Sequence, residues 1–287
     1  MSGPNRPTRR YKLTVAYDGS AFHGWQKQQP PDQPWPRTVQ AELETTLMQV
    51  LRQPSGQLDL LGASRTDAGV HALGQVCHFN SDTPIPVERL CAAINARLPP
   101  DIEARRAEVV PAAFDAIRDA VDKQYRYRIL HAPHRPLGLR HLVYHEWADI
   151  DLSAMRDAAA RLPGTHDLAG LASAAHGRQT TVRTIHACDV EEHPAPAGYA
   201  ADAAGRELHV VVSGSGFLYH SVRIIAGTLL DVGLGRRSPD CIDRVLQTAD
   251  RRAAGPTLPA RGLCLEWIKY APAAAETSVD RVSESMA

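Results

Sequence analysis

The stretch LGASRTDAGVHALGQVCHF, residues 61–79, decides how this chain folds and where chemistry can occur. Residues 75–79 read as a strand, and the apolar run at residues 58–63 predicts another strand before them. Residues 64–70, which lie between the two strands, are small, polar and glycine-containing, as is typical of a loop. Asp67 lies in this loop, so we expect its carboxylate to face a cleft.

The residues alone leave two interpretations of Asp67 open. An ionised carboxylate is a nucleophile, and Arg65, two positions earlier, would favour the ionised form. Alternatively, Asp67 caps a turn or a short helix by hydrogen bonding to its own backbone. The first interpretation predicts a catalytic loop and the second a structural one.

The flanking sequence predicts an α+β unit over residues 9–113. Residues 11–17 alternate as a strand does, and Thr38 can cap a helix whose apolar residues recur at three to four positions. The prolines within residues 29–37 exclude regular structure there. Two further elements complete the unit, namely a helix near residues 87–98 and a strand near residues 102–110.

A second α+β unit is predicted over residues 114–271. It begins with QYRYRIL at residues 124–130, whose strict period of two predicts a strand with one polar face. Later elements are helices around Met155 and Val245 and strands at residues 182–190, 207–213 and 263–270. The tail at residues 272–287 is small and polar, which predicts disorder.

Composition places the chain among ordinary globular proteins, with 44% hydrophobic and 22% charged residues. No apolar run approaches the roughly 18 residues of a membrane helix, and the start MSGPNRPTRRYK lacks the apolar stretch of a signal peptide, so a cytoplasmic location is expected. Since 32 basic and 32 acidic residues cancel, a wholly basic protein is excluded. Binding to phosphates would require local basic clusters, such as the one at residues 123–140.

The motif RTDAGVHALGQV resembles the catalytic motif of the tRNA pseudouridine synthase A family, and other blocks match in order. These are YDGSAFHGWQ at 17–26, TVQAELETTL at 38–47, INARLPPDI at 94–102, KQYRYRI at 123–129, VRTI at 182–185, GFLYHSVRIIAGTLLDVG at 216–233 and ARGLCLEWIKY at 260–270. The similarity covers nearly all of residues 11–270. Colinear blocks of this kind are far more specific than one short motif.

This resemblance implies an α+β pseudouridine synthase fold, in which two ferredoxin-like (RRM-like) lobes share a central, mainly antiparallel sheet with a cleft between them. It implies isomerisation of uridine to pseudouridine at positions 38, 39 and 40 of the tRNA anticodon stem-loop. The glycosidic bond moves within one uracil without redox change, so neither a cofactor nor a metal is expected. The implied partners are tRNA and a second copy of the chain in a homodimer.

The resemblance also assigns roles to individual residues. Asp67 is the nucleophile, and Arg223 pairs with it and orients it. Tyr125 stacks on the uracil and is a candidate to accept the C5 proton, while Leu263 lines the uracil pocket. Arg65 fills the space left by the flipped nucleotide.

Without the family, most of these residues have ordinary structural interpretations. Tyr125 and Leu263 would be core residues of strands, and Arg223 would be a surface residue. Tyr127 has the same parity as Tyr125, so the choice between them depends on the motif. The route of attack, at C1′ of the ribose or C6 of the base, stays open.

The chain departs from the family pattern in three places. Ile117 stands where an arginine is usual, and the adjacent Arg118 is a possible replacement. The insert at residues 29–37 is longer than expected. The loop at residues 166–181 lacks the phenylalanines that are common there, which leaves its packing role open.

Two other classes of protein are alternatives to the synthase. A metal enzyme could use His131, His134, His141 and His145, but their spacing matches no familiar zinc pattern and the prolines among them break any helix. A non-catalytic tRNA-binding or folding module would keep the fold without the chemistry. Filled catalytic positions favour the enzyme.

Overall fold

A computed structural model describes residues 7–28, 34–54, 58–173, 180–196 and 205–271. Within these ranges the strands are β1 (Arg9–Tyr17), β2 (Leu61–Gly62), β3 (His71–Ser81), β4 (Ile102–Val110), β5 (Ala120–His131), β6 (Tyr144–Glu146), β7 (Gly164–Asp167), β8 (Val182–Pro194), β9 (Arg206–Gly214) and β10 (Leu263–Tyr270). The α-helices are α1 (Val39–Leu51), α2 (Val87–Asn95), α3 (Leu152–Ala159), α4 (Ser221–Gly233) and α5 (Cys241–Thr248). The tail predicted at residues 272–287 lies outside the described residues.

One sheet runs through the whole molecule in the order β4-β1-β3-β10-β5-β9-β8-β7, with β2 beside β3 and β6 beside β5. The first half, with α1 and α2, has the order β4-β1-β3-β2, and the second half, with α3 and α4, repeats it as β10-β5-β9-β8. Each half therefore has ferredoxin-like topology. The predicted α+β fold, two such lobes sharing one sheet, is confirmed.

The lobes meet where β10 pairs with β3. This contact is parallel and short, since it joins only Cys264 to His71 and Leu265 to Ala72. All other pairs except β5 with β6 are antiparallel. The loop at residues 64–70 ends where this seam begins, and it therefore lies between the lobes.

The helices of the first lobe pack on the sheet through their apolar faces. The Thr38 hydroxyl caps α1 by accepting from the Ala41 amide, and Val39, Leu43 and Leu47 are fully buried against the sheet. The strand prediction at 11–17 is confirmed by β1. The helix predicted at 87–98 ends earlier, at Asn95, because the Asn95 side chain bonds both backbone groups of Ala104 and turns the chain into β4.

The strand predicted at residues 58–63 is wrong in extent. Only Leu61 and Gly62 pair with β3; the Ala63 amide still donates to the Val76 carbonyl, and the Ser64 backbone then bonds a side chain. The Ser64 amide donates to Gln75 Oε1, and the Gln75 amide donates back to the Ser64 carbonyl. This exchange begins the loop that carries Asp67.

Helix α4 has no counterpart among the periodicity-based predictions. Every residue in it except Arg223 is buried, so no polar face marks its sequence as a helix. By contrast, β5 and β10 match their predicted strands, with β5 extended at both ends.

The boundary proposed between residues 113 and 114 stays a prediction. No helix in the described ranges is long and apolar enough to cross a membrane.

Candidate active site

Hydrogen bonds of Thr66 to neighbouring segments anchor the loop at residues 64–70, and the Asp67 side chain in this loop stays partly exposed. The Thr66 hydroxyl shares a 2.8 Å hydrogen bond with the Tyr17 hydroxyl, and its carbonyl accepts from the Trp25 amide at 3.0 Å. The Val70 amide donates to the Asp67 carbonyl at 3.1 Å and closes the turn. Backbone and core side chains therefore fix the loop while the Asp67 carboxylate stays accessible.

The segment before α1 passes so close to the Asp67 loop that position 24 requires a glycine. Gly24 has φ +92°, and a Cβ there would lie 2.6 Å from the Thr66 carbonyl oxygen. The position thus demands both a left-handed backbone and the absence of a side chain. Gly24 allows the segment before α1 to contact the loop that carries Asp67.

Gly24→Ala should lower the free energy of unfolding by roughly 3 kcal/mol, because a left-handed strain adds to a backbone clash. Gly235→Ala is a matched control, since Gly235 also has a left-handed φ (+69°) but nothing within 4 Å of its Cβ position. We expect the control to cost about 1 kcal/mol. Chemical denaturation measures both, and equal losses would show that the contact with Thr66 is unimportant.

An arginine from the other lobe contacts the Asp67 carboxylate. Arg223 Nη1 lies 3.1 Å from Asp67 Oδ2, and the two side chains are 14% and 25% exposed. Arg223 Nε also donates to the Leu258 carbonyl at 2.7 Å, so the guanidinium is fixed at both ends. The fixed guanidinium therefore holds the Asp67 carboxylate through a charge-assisted hydrogen bond.

His220 is a second neighbour of Asp67, one that the sequence did not single out. Its Nε2 lies 3.5 Å from Asp67 Oδ2, and its Nδ1 lies 2.9 Å from the Ser173 hydroxyl. Burial, reinforced by the charge of Arg223, lowers the pKa of His220 below its ordinary value, although Asp67 opposes this shift. The only hint in the sequence is its position in the HSVRIIAG block.

Tyr125 lies next to the same loop. Its hydroxyl shares a 2.8 Å hydrogen bond with the Ser64 hydroxyl, and its ring packs edge-on against Phe217 at 5.4 Å between centroids. Burial raises the pKa of Tyr125 to about 12; the negative charge of Asp67 adds to the rise and the Ser64 hydrogen bond opposes it. Tyr125 is therefore a phenol at neutral pH, and accepting a proton would require it to pass its own proton onward.

Titration should confirm that Tyr125 keeps its proton beyond the ordinary tyrosine range. A raised pKa means that the folded protein disfavours the phenolate, so ionisation should occur near pH 12 instead of about 10. The ultraviolet difference between wild type and Tyr125→Phe isolates this one phenolate from those of the other tyrosines. A difference signal that appears near pH 10 would contradict this environment.

Leu263 and Tyr127 pair across β10 and β5 beside Tyr125, and both are buried. The Tyr127 hydroxyl donates to the Pro259 carbonyl at 2.8 Å, whereas the Tyr125 hydroxyl reaches the catalytic loop. Arg65 is exposed on that loop, and among the described residues it has no ion pair with Asp67. The arginine that contacts Asp67 in the structure is Arg223.

The chain is similar to known proteins over most of its length. The family model described as tRNA pseudouridine synthase matches residues 13–144 and 158–271. The chain belongs to this family. The matched ranges contain the Asp67 loop, α4 and most of both lobes, and they leave out most of α3.

Curated relatives in the family align over almost their whole length. A protein of Bacillus subtilis named tRNA pseudouridine synthase A is 43% identical, with 91% of this chain and 98% of the relative covered. The relative of the same name from Acetivibrio thermocellus is 38% identical over 91% of this chain and its full length. One from Clostridium tetani, named tRNA pseudouridine synthase A 2, is 38% identical over 91% of this chain and 99% of the relative.

Among the described residues, none at the positions that depart from the family pattern makes a hydrogen bond or ion pair with Asp67. Ile117 is 52% exposed, and the adjacent Arg118 binds Asp119 and the Ala113 carbonyl. Part of the insert, residues 29–33, lies outside the described residues, as do residues 174–179 of the loop at 166–181. Arg37, at the end of the insert, binds Asp101 through two nitrogens.

The four histidines weighed as metal ligands do not converge in the structure. Among described residues, one group of three potential ligands has donor atoms within 4.8 Å of one another, and it consists of Glu191, His193 and His209. His145 Nε2 instead contacts the Ala132 carbonyl at 2.7 Å. The ligand set proposed from residues 131–145 is therefore absent from the described ranges.

Proposed function

We propose that this member of the tRNA pseudouridine synthase family converts uridine to pseudouridine at positions 38, 39 and 40 of the anticodon stem-loop, with Asp67 as nucleophile. The observation that carries the proposal is the Asp67–Arg223 ion pair, which joins the two lobes beside Tyr125. An ionised, oriented carboxylate next to a buried aromatic ring suits attack on a nucleoside that stacks there.

The reaction rearranges bonds without changing composition. The C1′–N1 bond breaks and a C1′–C5 bond forms, while the C5 proton leaves and N1 gains a proton. After the C1′–N1 bond weakens and before the C1′–C5 bond forms, Asp67 forms a covalent bond to the electrophilic carbon, and this bond later breaks. Asp67 must be negatively charged to attack in this way. Arg223 stabilises that charge before attack and when it is regenerated at the end.

The remaining site residues support base recognition in this proposal. Tyr125 stacks on the uracil and Leu263 lines its pocket, which matches their burial beside the catalytic loop. Flipping the nucleotide costs a few kcal/mol of stacking, and the exposed planar guanidinium of Arg65 is suited to fill the space that it leaves. The raised pKa of Tyr125 favours stacking over direct proton acceptance.

We further propose that two copies of the chain hold one tRNA in the cytoplasm. Many cations in the basic clusters are paired with acids, for example Arg126 with Glu266 and Arg128 with Glu207. The field on one subunit is consequently weak for a phosphate-binding protein. Contacts from both subunits would add through effective concentration.

Release of tritium from tRNA carrying 5-tritiated uridine tests this function. Joining C1′ to C5 displaces the C5 hydrogen, so we expect release without added metal, and release should disappear when U38, U39 and U40 are all replaced by cytidine. A wild type that binds tRNA but releases no tritium would contradict the enzyme and favour the non-catalytic binding module. Release that persists in the triple-cytidine tRNA would contradict the positions.

A further inference from the structure

His220 has a backbone conformation that helix geometry does not explain. Three described non-glycine residues have positive φ, and two of them, Arg52 and Ala249, end α1 and α5, where left-handed caps are common. His220 (φ 66°) instead precedes the first residue of α4, and its side chain makes no capping hydrogen bond. Such a strained residue persists only when its surroundings fix it, and it often marks a functional site.

The surroundings of His220 fix the imidazole ring. Tyr219 stacks on it at 3.7 Å between ring centroids, and the Ser173 hydroxyl lies 2.9 Å from Nδ1. Ser173 is held in turn, because its amide donates to the Tyr219 carbonyl at 3.1 Å. The strained backbone and these contacts direct Nε2 toward Asp67.

The protonation state of the His220 imidazole decides which of its two nitrogens donates a hydrogen bond. Burial and the Arg223 charge keep the imidazole neutral at neutral pH, so one ring nitrogen donates and the other accepts. When the Ser173 hydroxyl donates to Nδ1, the proton lies on Nε2 and faces Asp67 Oδ2. The 3.5 Å distance is longer than a normal hydrogen bond, and such contacts often shorten when substrate binds.

Both neighbours of the carboxylate contact the same oxygen. Arg223 Nη1 and His220 Nε2 lie 3.1 Å and 3.5 Å from Asp67 Oδ2. Among the described residues, no hydrogen bond or ion pair involves Oδ1. The carboxylate therefore has one restrained oxygen and one available oxygen.

We propose that His220 is a positioning residue, which together with Arg223 restrains Oδ2 of Asp67 so that Oδ1 faces the uridine. The inference rests on the proposed role of Asp67 as nucleophile. Ser173 supports it by holding the tautomer that donates from Nε2. A single arginine contact would allow the carboxylate to rotate about the contacted oxygen, and a second donor from another direction prevents this rotation.

Two amide substitutions separate positioning from folding. His220→Asn keeps a residue that tolerates the left-handed backbone, but its amide reaches only the place of Nδ1. His220→Gln places its amide nitrogen as many bonds from Cβ as Nε2 is, so it can donate to Oδ2. The two variants differ mainly in whether a donor reaches Asp67.

Single-turnover tritium release and tRNA binding are measured for wild type and both variants. We expect His220→Asn to reduce the rate roughly 10- to 100-fold with tRNA affinity within about twofold of wild type, and His220→Gln to recover most of the rate. Equal losses in both variants, or a wild-type rate in His220→Asn, would overturn the inference while wild-type activity upholds the proposed function. A wild type that is itself inactive would overturn both.

Discussion

Asp67→Asn should abolish pseudouridine formation while leaving tRNA binding intact. The amide has nearly the shape of the carboxylate and can still accept a hydrogen bond from Arg223, but it carries no charge and is a poor nucleophile. Loss of a covalent nucleophile costs a factor on the order of 10⁴ or more in the rate of the chemical step. Single-turnover tritium release and equilibrium tRNA binding measure the two effects separately.

Asp231→Asn provides the matched control for this change. Asp231 is also a partly buried aspartate that accepts ion pairs from arginine, at 3.3 Å from both Arg236 and Arg237, but it lies at the far end of α4. It should lose stability without losing the chemical step. If Asp67→Asn kept more than a hundredth of the wild-type rate, Asp67 would not be the nucleophile.

Arg223→Ala should cause the second-largest loss, on the order of 10²- to 10³-fold in the chemical step. The substitution removes a charge-assisted hydrogen bond to Asp67 and leaves that partly buried carboxylate with His220 as its remaining polar neighbour. Arg223→Lys should lose less, because it retains the charge but cannot contact Asp67 and the Leu258 carbonyl in the same fork. Single-turnover rates for both variants test this order.

Arg237→Ala is a close control for Arg223. Arg237 also joins one carboxylate to one backbone carbonyl, with Nε 3.3 Å from Asp231 and Nη1 2.8 Å from the Ala253 carbonyl. If the effect of Arg223 were only to stabilise the fold, the two alanine variants would lose similar activity. A selective loss at Arg223, at equal melting temperature, would place its effect at Asp67.

The sequence predicted those elements whose two faces differ. Helix α1 and strand β5 each have one apolar and one polar face, so their periods of 3.6 and 2 are visible. Helix α4 is buried all round except at Arg223, and periodicity therefore cannot distinguish it. The departure of the backbone from β3 at Ser64 depends on the Gln75 side chain, a contact between residues 11 positions apart that no local pattern contains.

Some residues of the candidate site could be predicted from the sequence and others could not. Asp67 and Arg223 are 156 positions apart, and only the family resemblance associated them before the structure showed their contact. Arg65 was expected to act on Asp67 because it is close in sequence, but among the described residues the arginine that forms an ion pair with Asp67 is Arg223. His220 has no compositional signal, because its contact with Asp67 depends on a left-handed backbone that single residues rarely adopt.

We expect the short seam between β3 and β10 to act as a hinge of the sheet. Two residue pairs join the lobes there, whereas nine join β5 to β9, so bending of the sheet is expected to concentrate at the seam. Asp67 lies on one side of this hinge and Arg223 on the other, and opening would lengthen the distance between them. The length of the ion pair would then report on lobe closure: an RNA that draws the lobes together would keep Arg223 beside Asp67, and one that separates them would remove it.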